Sequence, residues 1–479
     1  MAGIGFALRK LASKDDFQGI MRAYFHAAVA AVGPWILLVV SLGLISFFTS
    51  DIAGRVEVNE FFSVVVYNIL FSFVLSAPLY QIASRYVSDC LFSRDATPIP
   101  GILLTSLFYV LIPALSLAIP FYVFYATMTP FATILSIVNF TLLCMIWFVM
   151  LYLSCIRNFR AITIAWVVGM LLASVVGIYL GKKEGTTGML LGLNIGLIAL
   201  LFSLIANILA EYPYRFLKPK EYGFYFRHYK LLFWSGLFLF AGMWVDKIIM
   251  WFSSNGITHL NNLRTYPIYD GAMFASYLSI IPVMALFIFS LETNFYDFYI
   301  QYIRNIETNA PFDHIEAEKK NLMTSLIENG RNMLILQGCF TFVVIALAPT
   351  LFEWLKMDFL QLGIFRLGTL GAFFTAINLF IVILFSYFDS QENMLIITIF
   401  MFVSNIVLTL VSLKFGFIFY GYGFCLSMIL TTLIGSVLFF RFMGDLTYNI
   451  FITHVVKRHD VTQKPEGRSK YEWTDEAEL

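Results

Sequence analysis

The stretch that decides the fold is Ala27–Phe48, AAVAAVGPWILLVVSLGLISFF, which contains no charged residue. A helix rises about 1.5 Å per residue, so this run is long enough to cross the ~30 Å hydrocarbon core of a membrane. It exceeds the roughly 7 to 15 residues of a secretory signal core, and no convincing cleavage site follows it. We therefore interpret it as a retained membrane span.

Eleven further runs repeat this pattern. The chain is 59% hydrophobic and 13% charged, with a mean hydropathy of +0.80, whereas soluble domains are about 25% charged. These features predict an all-α integral membrane protein with about twelve transmembrane helices. The further predicted spans are 62–83, 102–125, 134–156, 162–180, 189–210, 231–252, 272–291, 333–354, 367–387, 395–413 and 417–440.

Basic residues are distributed unequally between the two sets of connecting segments. With the N-terminus in the cytoplasm, 23 of the 31 Lys and Arg residues fall on the inner side, seven on the outer side, and Lys247 within a span. The positive-inside rule therefore places both termini in the cytoplasm. A net charge of +1 without a concentrated basic face argues against a nucleic-acid partner.

The lengths of the inner segments predict two halves of six spans. A long inner segment follows the second span of each half (84–101 and 292–332), and a short one follows each fourth span (157–161 and 388–394). This arrangement is typical of two-lobed transporters with a central cavity. The predicted parts are a cytoplasmic segment 1–26, an N-lobe 27–210, a cytoplasmic linker 211–230, a C-lobe 231–440 and a cytoplasmic tail 441–479.

Asp246 and Lys247 are charged residues within a predicted span. A charge near the bilayer centre costs roughly 2.5 to 3.5 kcal/mol on insertion scales, so such residues mark transport pathways. Neighbouring helix positions point about 100° apart, so we expect no self-contained salt bridge between the two. One of them is expected to face the inter-lobe cavity. In the alternative interpretation, Lys247 extends to the headgroups while Asp246 bonds to a neighbouring helix.

The first span carries two further candidate sites. Arg22 and His26 enter it from the cytoplasmic side and are either pathway residues or interface anchors, and His26 could titrate near neutral pH beside a carboxylate. Gly33, Pro34 and Trp35 predict a bend, because Pro34 removes one backbone hydrogen bond. A bent first helix is a candidate gate, although proline kinks also occur in static bundles.

An amphipathic helix is predicted after the eighth span, within the 292–332 segment. Apolar residues recur there at helical spacing, with charged residues between them. This stripe would either dock a cytoplasmic partner or lie along the lipid headgroups. Its members are Phe295, Phe298, Tyr299, Tyr302, Ile303 and Ile306.

Motifs for enzyme chemistry are missing from the sequence. It contains no HExxH, no GxxxxGK[ST], no GxSxG and no clustered Cys/His ligand set. We therefore expect no catalytic residue, no cofactor, no metal site and no nucleotide-driven pumping within this chain.

Several short motifs give the chain its resemblance to a known family. They are MAGIGFALRKL (1–11), GPW (33–35), WVDK (244–247), IPVMALF (281–287) followed by Glu292 and Thr293, FRLGTLGAFF (365–374) and YGYGF (420–424). Together they resemble the PelG family, the membrane transporters of Pel exopolysaccharide systems. The resemblance covers residues 1 to about 440. Ala7 departs from it, since an acidic residue is expected there.

This resemblance implies the fold of the multidrug, oligosaccharidyl-lipid and polysaccharide flippases, and a bacterial inner-membrane location. It implies transport of an N-acetylgalactosamine-rich polymer, with a cytoplasmic glycosyltransferase and other Pel membrane and regulatory subunits as partners. Two alternatives stay open, a cation-coupled multidrug exporter of the same fold and a non-transporting scaffold for the glycosyltransferase.

Overall fold

The computed structural model describes residues 17–92, 95–156, 159–216, 222–281, 284, 295–308 and 310–449, and in the first helix it describes side chains from Gly33 onward. The chain divides into two units, Met1–Gly435 and Ser436–Leu479. In the second unit, residues 436–444 complete the last long helix and residues 446–449 add one helical turn. The site described below lies entirely in the first unit.

Long apolar helices fill the N-terminal half (residues 27–210). They are α1 (Phe17–Ala53), α2 (Arg55–Phe92), α3 (Ile99–Pro120) continued by a π-helical turn (Phe121–Tyr125), α4 (Pro130–Ile156) and α5 (Phe159–Glu211). The short helix α6 (Tyr222–His228) follows within the predicted linker.

The C-terminal half (residues 231–435) begins in α7 and contains a small sheet. Its elements are α7 (Lys230–Trp251), the antiparallel strands β1 (Ile257–Thr258) and β2 (Arg264–Thr265), α8 (Pro267–Leu278), α9 (Tyr296–Glu307), α10 (Phe312–Leu355), a 3₁₀ turn (Phe359–Gln361), α11 (Leu362–Tyr387), α12 (Gln391–Phe415), a second 3₁₀ turn (Phe417–Phe419) and α13 (Tyr422–Gly444).

Helix α5 is a hairpin of two arms, because Gly185 leaves the helical conformation at φ 58° and ψ −133°. Its arms, residues 159–184 and 186–211, pack closely along two pairs of glycines. A Cβ on Gly192 would overlap the backbone of Gly177, and one on Gly196 would overlap the carbonyl of Gly169. Small residues let helices approach in this way within membranes. The arms correspond to the predicted spans 162–180 and 189–210.

Ten helices of the described chain are long and apolar enough to cross a membrane. One of them is the α5 hairpin, which accounts for two predicted spans. The predicted span 272–291 begins in α8, and most of its remainder lies outside the described residues. The chain is therefore an all-α membrane protein, and a count of about twelve spans is compatible with it.

The same pattern of helix pairing occurs in both halves. In the first, α1 packs on the first arm of α5, α2 and α3 pack on α4, and the second arm of α5 bonds to α4. In the second, α7 packs on α12, α8 and α10 pack on α11, and α13 bonds to α11. This correspondence supports the predicted repeat of six and six spans.

Candidate functional site

Asp246 and Lys247 lie near the end of α7, in the interior of the C-terminal half. Asp246 is fully buried and Lys247 is 4% exposed. The Lys247 ammonium lies 3.3 Å from each carboxylate oxygen of Asp246. The expectation that these neighbours would not pair is therefore wrong: their Cβ atoms diverge, but the flexible lysine chain folds back across the helix. Each charge neutralises the other inside the protein.

Three aromatic rings surround the Lys247 ammonium. Its nitrogen lies 5.0 Å from the ring centroid of Trp244, 4.9 Å from that of Tyr277 and 5.5 Å from that of Phe424. The faces of aromatic rings attract cations at these distances. We refer to these three rings, which come from α7, α8 and α13, as the aromatic cage.

Helix α8 supplies the hydrogen bonds on the carboxylate side. The Tyr269 hydroxyl donates to Asp246 Oδ2 at 2.8 Å. The adjacent Asp270 accepts the Trp251 indole N–H, which lies 2.9 Å from both of its carboxylate oxygens. Asp270 also accepts from the backbone N–H of Tyr266 at 3.1 Å, which fixes the first turn of α8. Tyr269 and Asp270 thus attach the first turn of α8 to Asp246 and Trp251 at the end of α7.

Trp251 connects this cluster to the N-terminal half. Its ring stacks on that of Tyr67 in α2, with centroids 4.5 Å apart and planes 19° apart. The Tyr67 hydroxyl donates to the carbonyl of Arg264 at 2.8 Å, on the second strand. Further along α2 and α7, Phe73 stacks on Phe240 with centroids 5.8 Å apart. Among the residues that the structure describes, α2 and α7 thus form the most extensive contact between the halves.

A second connection between the halves lies at the predicted cytoplasmic end of α2. The Arg85 guanidinium is 3.6 Å from the Asp389 carboxylate, which follows α11, and 3.5 Å from that of Asp89. The Tyr225 hydroxyl on α6 donates to Asp89 at 3.1 Å. Burial, with the Asp89 charge, raises the pKa of Tyr225, so its hydroxyl keeps the proton that it donates.

The N-terminal half contains a buried network of a different kind, made of uncharged groups. The Tyr122 hydroxyl donates to Asn68 Oδ1 at 2.6 Å, Asn68 donates to Asn139 Oδ1 at 2.9 Å, and Asn139 donates to Asn194 Oδ1 at 2.8 Å. We refer to these four residues as the amide chain. They join α2, the π-helical turn that continues α3, α4 and α5. Such bonds hold helices together in lipid.

A mainly apolar cavity of about 300 Å³ lies beside the amide chain. Its walls come from α2, α3 with the π-helical turn, α4 and α7, and include Tyr67, Phe71, Phe121, Tyr122 and Leu237. Asp246 and Lys247 do not line it. In this conformation the two charges are enclosed by their own half of the chain.

The structure locates the other predicted site residues only in part. Gly33 and Pro34 are buried and the helix continues through them, while Trp35 lies against Phe73 with ring centroids 6.0 Å apart. The side chains of Arg22 and His26 lie outside the described residues. Their roles in transport and gating stay predictions.

The predicted amphipathic stripe forms helix α9, which begins at Tyr296. Phe295 and Tyr302 are fully buried. The Tyr299 hydroxyl donates to the carbonyl of Tyr387 at 3.0 Å, and α9 packs on α10. Part of the stripe therefore contacts the chain itself, and its docking role stays a prediction. A partner on this helix would meet the opposite face, which carries Arg304.

Sequence reasoning missed Tyr269, Asp270, Trp251 and the amide chain. Asparagines within apolar spans are a usable signal for the amide chain, because an unsatisfied amide is costly in hydrocarbon. The contact of Trp251 with Asp270 depends on the path of the intervening hairpin, which periodicity does not reveal. No group of three His, Cys, Asp or Glu residues in the described part of the chain could hold a metal ion.

These features define the class of the protein, a multi-spanning membrane transporter built from two similar halves. Solved structures with a similar fold include transporters of the MATE family and the MOP superfamily. The chain belongs to the family whose model is described as "PelG: Putative exopolysaccharide Exporter (EPS-E)", which matches residues 1–451. No curated protein matches the sequence.

Three of the similar structures illustrate the fold. An outward-facing multidrug resistance MATE family transporter is 13% identical, with a TM-score of 0.61 over 89% of this chain and 96% of that chain. MATE in the bent conformation is 13% identical, with a TM-score of 0.61 over 92% and 99%. A MOP superfamily transporter from Pyrococcus furiosus Vc1 (DSM3638) is 13% identical, with a TM-score of 0.60 over 88% and 96%.

Proposed function

We propose that this chain moves a Pel-type, N-acetylgalactosamine-rich polymer from the cytoplasm to the outside of the bacterial inner membrane. The observation that carries the proposal is the family match over residues 1–451, on a chain with a transporter fold. The polymer would pass between an N-lobe (27–210) and a C-lobe (231–440), with the linker 211–230 and both termini in the cytoplasm. The chain would work without cofactor or metal, beside a cytoplasmic glycosyltransferase and other Pel subunits.

Asp246 and Lys247 would act in transport as an exchangeable pair. Each is neutralised by the other in the present conformation, where the carboxylate also accepts from Tyr269. Opening of the C-lobe would expose one member to a sugar hydroxyl or a coupling ion. Closing would restore the ion pair, so no uncompensated charge would be buried at either stage.

The first test measures extracellular polymer in cells lacking this protein and in complemented cells, by sugar analysis for N-acetylgalactosamine. The level of the glycosyltransferase is measured in both strains. Loss of external polymer while the transferase persists is the expected result. Unchanged external polymer in the deletion strain would refute the polysaccharide assignment.

The fold also suggests a cation-coupled multidrug exporter, because similar solved structures include multidrug transporters. That function predicts that deletion changes drug susceptibility and leaves external polymer unchanged. A third candidate function, a non-transporting scaffold for the glycosyltransferase, is distinguished from export by two single-residue variants. It predicts that Asp246→Asn preserves export, whereas charge reversal on α9, such as Arg304→Glu, removes the transferase from the membrane.

A further inference from the structure

The β-hairpin between α7 and α8 extends from the C-terminal half onto the N-terminal half. Its strands pair in the register Ile257 with Thr265 and Thr258 with Arg264. At the turn, the backbone N–H of His259 donates to the carbonyl of Leu263 at 2.9 Å. Burial lowers the pKa of His259, so its ring is neutral at physiological pH, and it shares a hydrogen bond with Thr265. These bonds fix the internal conformation of the hairpin.

Five hydrogen bonds attach the tip of this hairpin to the N-terminal half. Two of them join Asn261 to its neighbours: its carbonyl accepts from the backbone N–H of Thr127 at 3.1 Å, and its Nδ2 donates to the carbonyl of Glu60 at 3.4 Å. Asn261 Nδ2 donates to Ser63 Oγ in α2 at 2.9 Å, and Asn262 Nδ2 donates to the carbonyl of Tyr125 at 3.0 Å. The Thr127 hydroxyl donates to the carbonyl of Leu260 at 2.9 Å. Asn261 and Ser63 are each 1% exposed, so the contact excludes water.

A series of contacts connects the base of the hairpin to the buried charges of Asp246 and Lys247. Trp251, where α7 ends, stacks on Tyr67 and donates to Asp270 in the first turn of α8. The residue before Asp270 is Tyr269, whose hydroxyl bonds to Asp246. Movement of the hairpin away from α2 would separate Trp251 from Tyr67 and shift the first turn of α8. That shift would lengthen the bond from Tyr269 to Asp246.

We propose that the hairpin 257–265 is a gate on the predicted external side, and that Trp251, Asp270 and Tyr269 couple its opening to the Asp246–Lys247 pair. This inference rests on the proposed function, since a gate needs a transported polymer. The bonds at the tip are polar, so water can replace them when the gate opens. The polymer can pass between the halves at this end only if the halves separate.

The test joins the hairpin tip to α2 through a reversible crosslink. Ser63→Cys and Asn261→Cys are combined, and a short thiol-reactive crosslinker or mild oxidation joins the two positions in cells. External polymer is expected to fall to the level of the deletion strain when the link is formed, and to return on reduction. The matched control combines Ile257→Cys with Thr265→Cys, which joins the two strands without touching the N-terminal half, and should keep export.

The outcomes separate this gate from the proposed function. Continued export with the 63–261 link verified by gel shift refutes the gate and leaves the exporter intact. Equal loss with the 257–265 control also refutes it, because stiffening alone would then explain the block. If deletion of the protein leaves external polymer unchanged, the function itself fails, independently of the crosslink.

The coupling is tested by the rate at which the 63–261 link forms. Tyr269→Phe removes the hydroxyl that bonds Asp246 and is expected to change this rate at equal protein level. Tyr299→Phe removes a similar hydroxyl, bonded to the carbonyl of Tyr387 far along the chain, and should leave the rate unchanged. Equal rates in both variants would overturn the coupling.

Discussion

The two halves pair their helices alike but fill their interiors with different chemistry. In the N-terminal half, Asn68, Asn139 and Asn194 bond one another across the helices. In the C-terminal half, the corresponding bonds between helices go to backbone carbonyls, as from Asn405 to Gly242 and from Asn378 to Met428, and the interior also holds an ion pair. Helix pairing is thus separable from charge, and the proposed function assigns the group that responds during transport to the C-terminal half.

Lys247→Met is expected to give the largest effect, because it leaves the fully buried Asp246 carboxylate without a cation. Loss of one member of a buried pair costs about 3–5 kcal/mol. Asp246→Asn should cost less, since the aromatic cage still holds the ammonium. Thermal unfolding in detergent measures both.

The double variant Asp246→Asn with Lys247→Met separates structure from transport. It removes both charges, so stability should return towards that of the unmodified protein. Under the proposed function, the folded double variant does not export polymer. Normal export by this variant would show that the pair has a structural role only.

Gly185→Ala is expected to have the next largest effect and compares the turns of the two halves. Gly185 has φ 58°, and an added Cβ would overlap the carboxylate of Glu57. Gly416, between the last two predicted spans, has φ 90° but open space around it. A positive φ costs about 1–3 kcal/mol for residues other than glycine. Gly416→Ala therefore loses stability through backbone strain only, whereas Gly185→Ala adds the overlap with Glu57.

The two alanine variants are compared by their unfolding temperatures in the same detergent. Gly43→Ala is the control, because Gly43 lies within α1 with nothing near its Cβ position. Equal losses at Gly185 and Gly416 would show that Glu57 moves aside without cost.

Much of the fold was predictable because a membrane limits the choices. Length and hydropathy alone located most of the spans, beginning with Ala27–Phe48 and including both arms of the α5 hairpin, whose separating turn is marked by Gly185. Helix periodicity also predicted α9. It indicated an apolar face for a partner or for lipid headgroups, yet it could not show that Tyr387 and Phe388 of the same chain contact that face.

The site was less predictable, because its contacts join residues that only the fold brings together. The unusual charges identified Asp246 and Lys247, but not their pairing, which depends on a flexible side chain. Tyr269 lies 23 positions from Asp246, beyond a hairpin whose path local patterns do not determine. Burial within the C-terminal half, away from the cavity beside the amide chain, likewise follows from packing rather than from sequence spacing.

Asn139→Leu tests the amide chain in the N-terminal half. The change leaves the Nδ2 group of Asn68 and the Oδ1 atom of Asn194 without their side-chain partners. A buried polar group without its partner costs about 1–3 kcal/mol. Asn207→Leu on α5 is the control, because Asn207 is half-buried and bonds only locally, to the carbonyl of Ser203.

We expect Asn139→Leu to lower the unfolding temperature while export per folded molecule persists. That result would separate this half from the C-terminal half, where neutralising the pair should stop export. Loss of export at unchanged stability would instead place the amide chain in the transport pathway and remove the contrast between the halves.

Asp389→Asn should give the smallest effect, because it weakens a contact between the halves rather than inside either. Asp389 has φ 55°, which asparagine also tolerates, so the backbone conformation is kept while the charge interaction with Arg85 is lost. The oxygen of the new side chain can still accept the hydrogen bond from Gln391. Partly exposed ion pairs contribute about 0–1 kcal/mol, and Arg85 keeps Asp89 nearby. The unfolding temperature should therefore change little, whereas Asp389→Ala, which also strains the backbone, should lower it further. A large loss in Asp389→Asn itself would show that the charge joining the halves matters as much as the chemistry inside them.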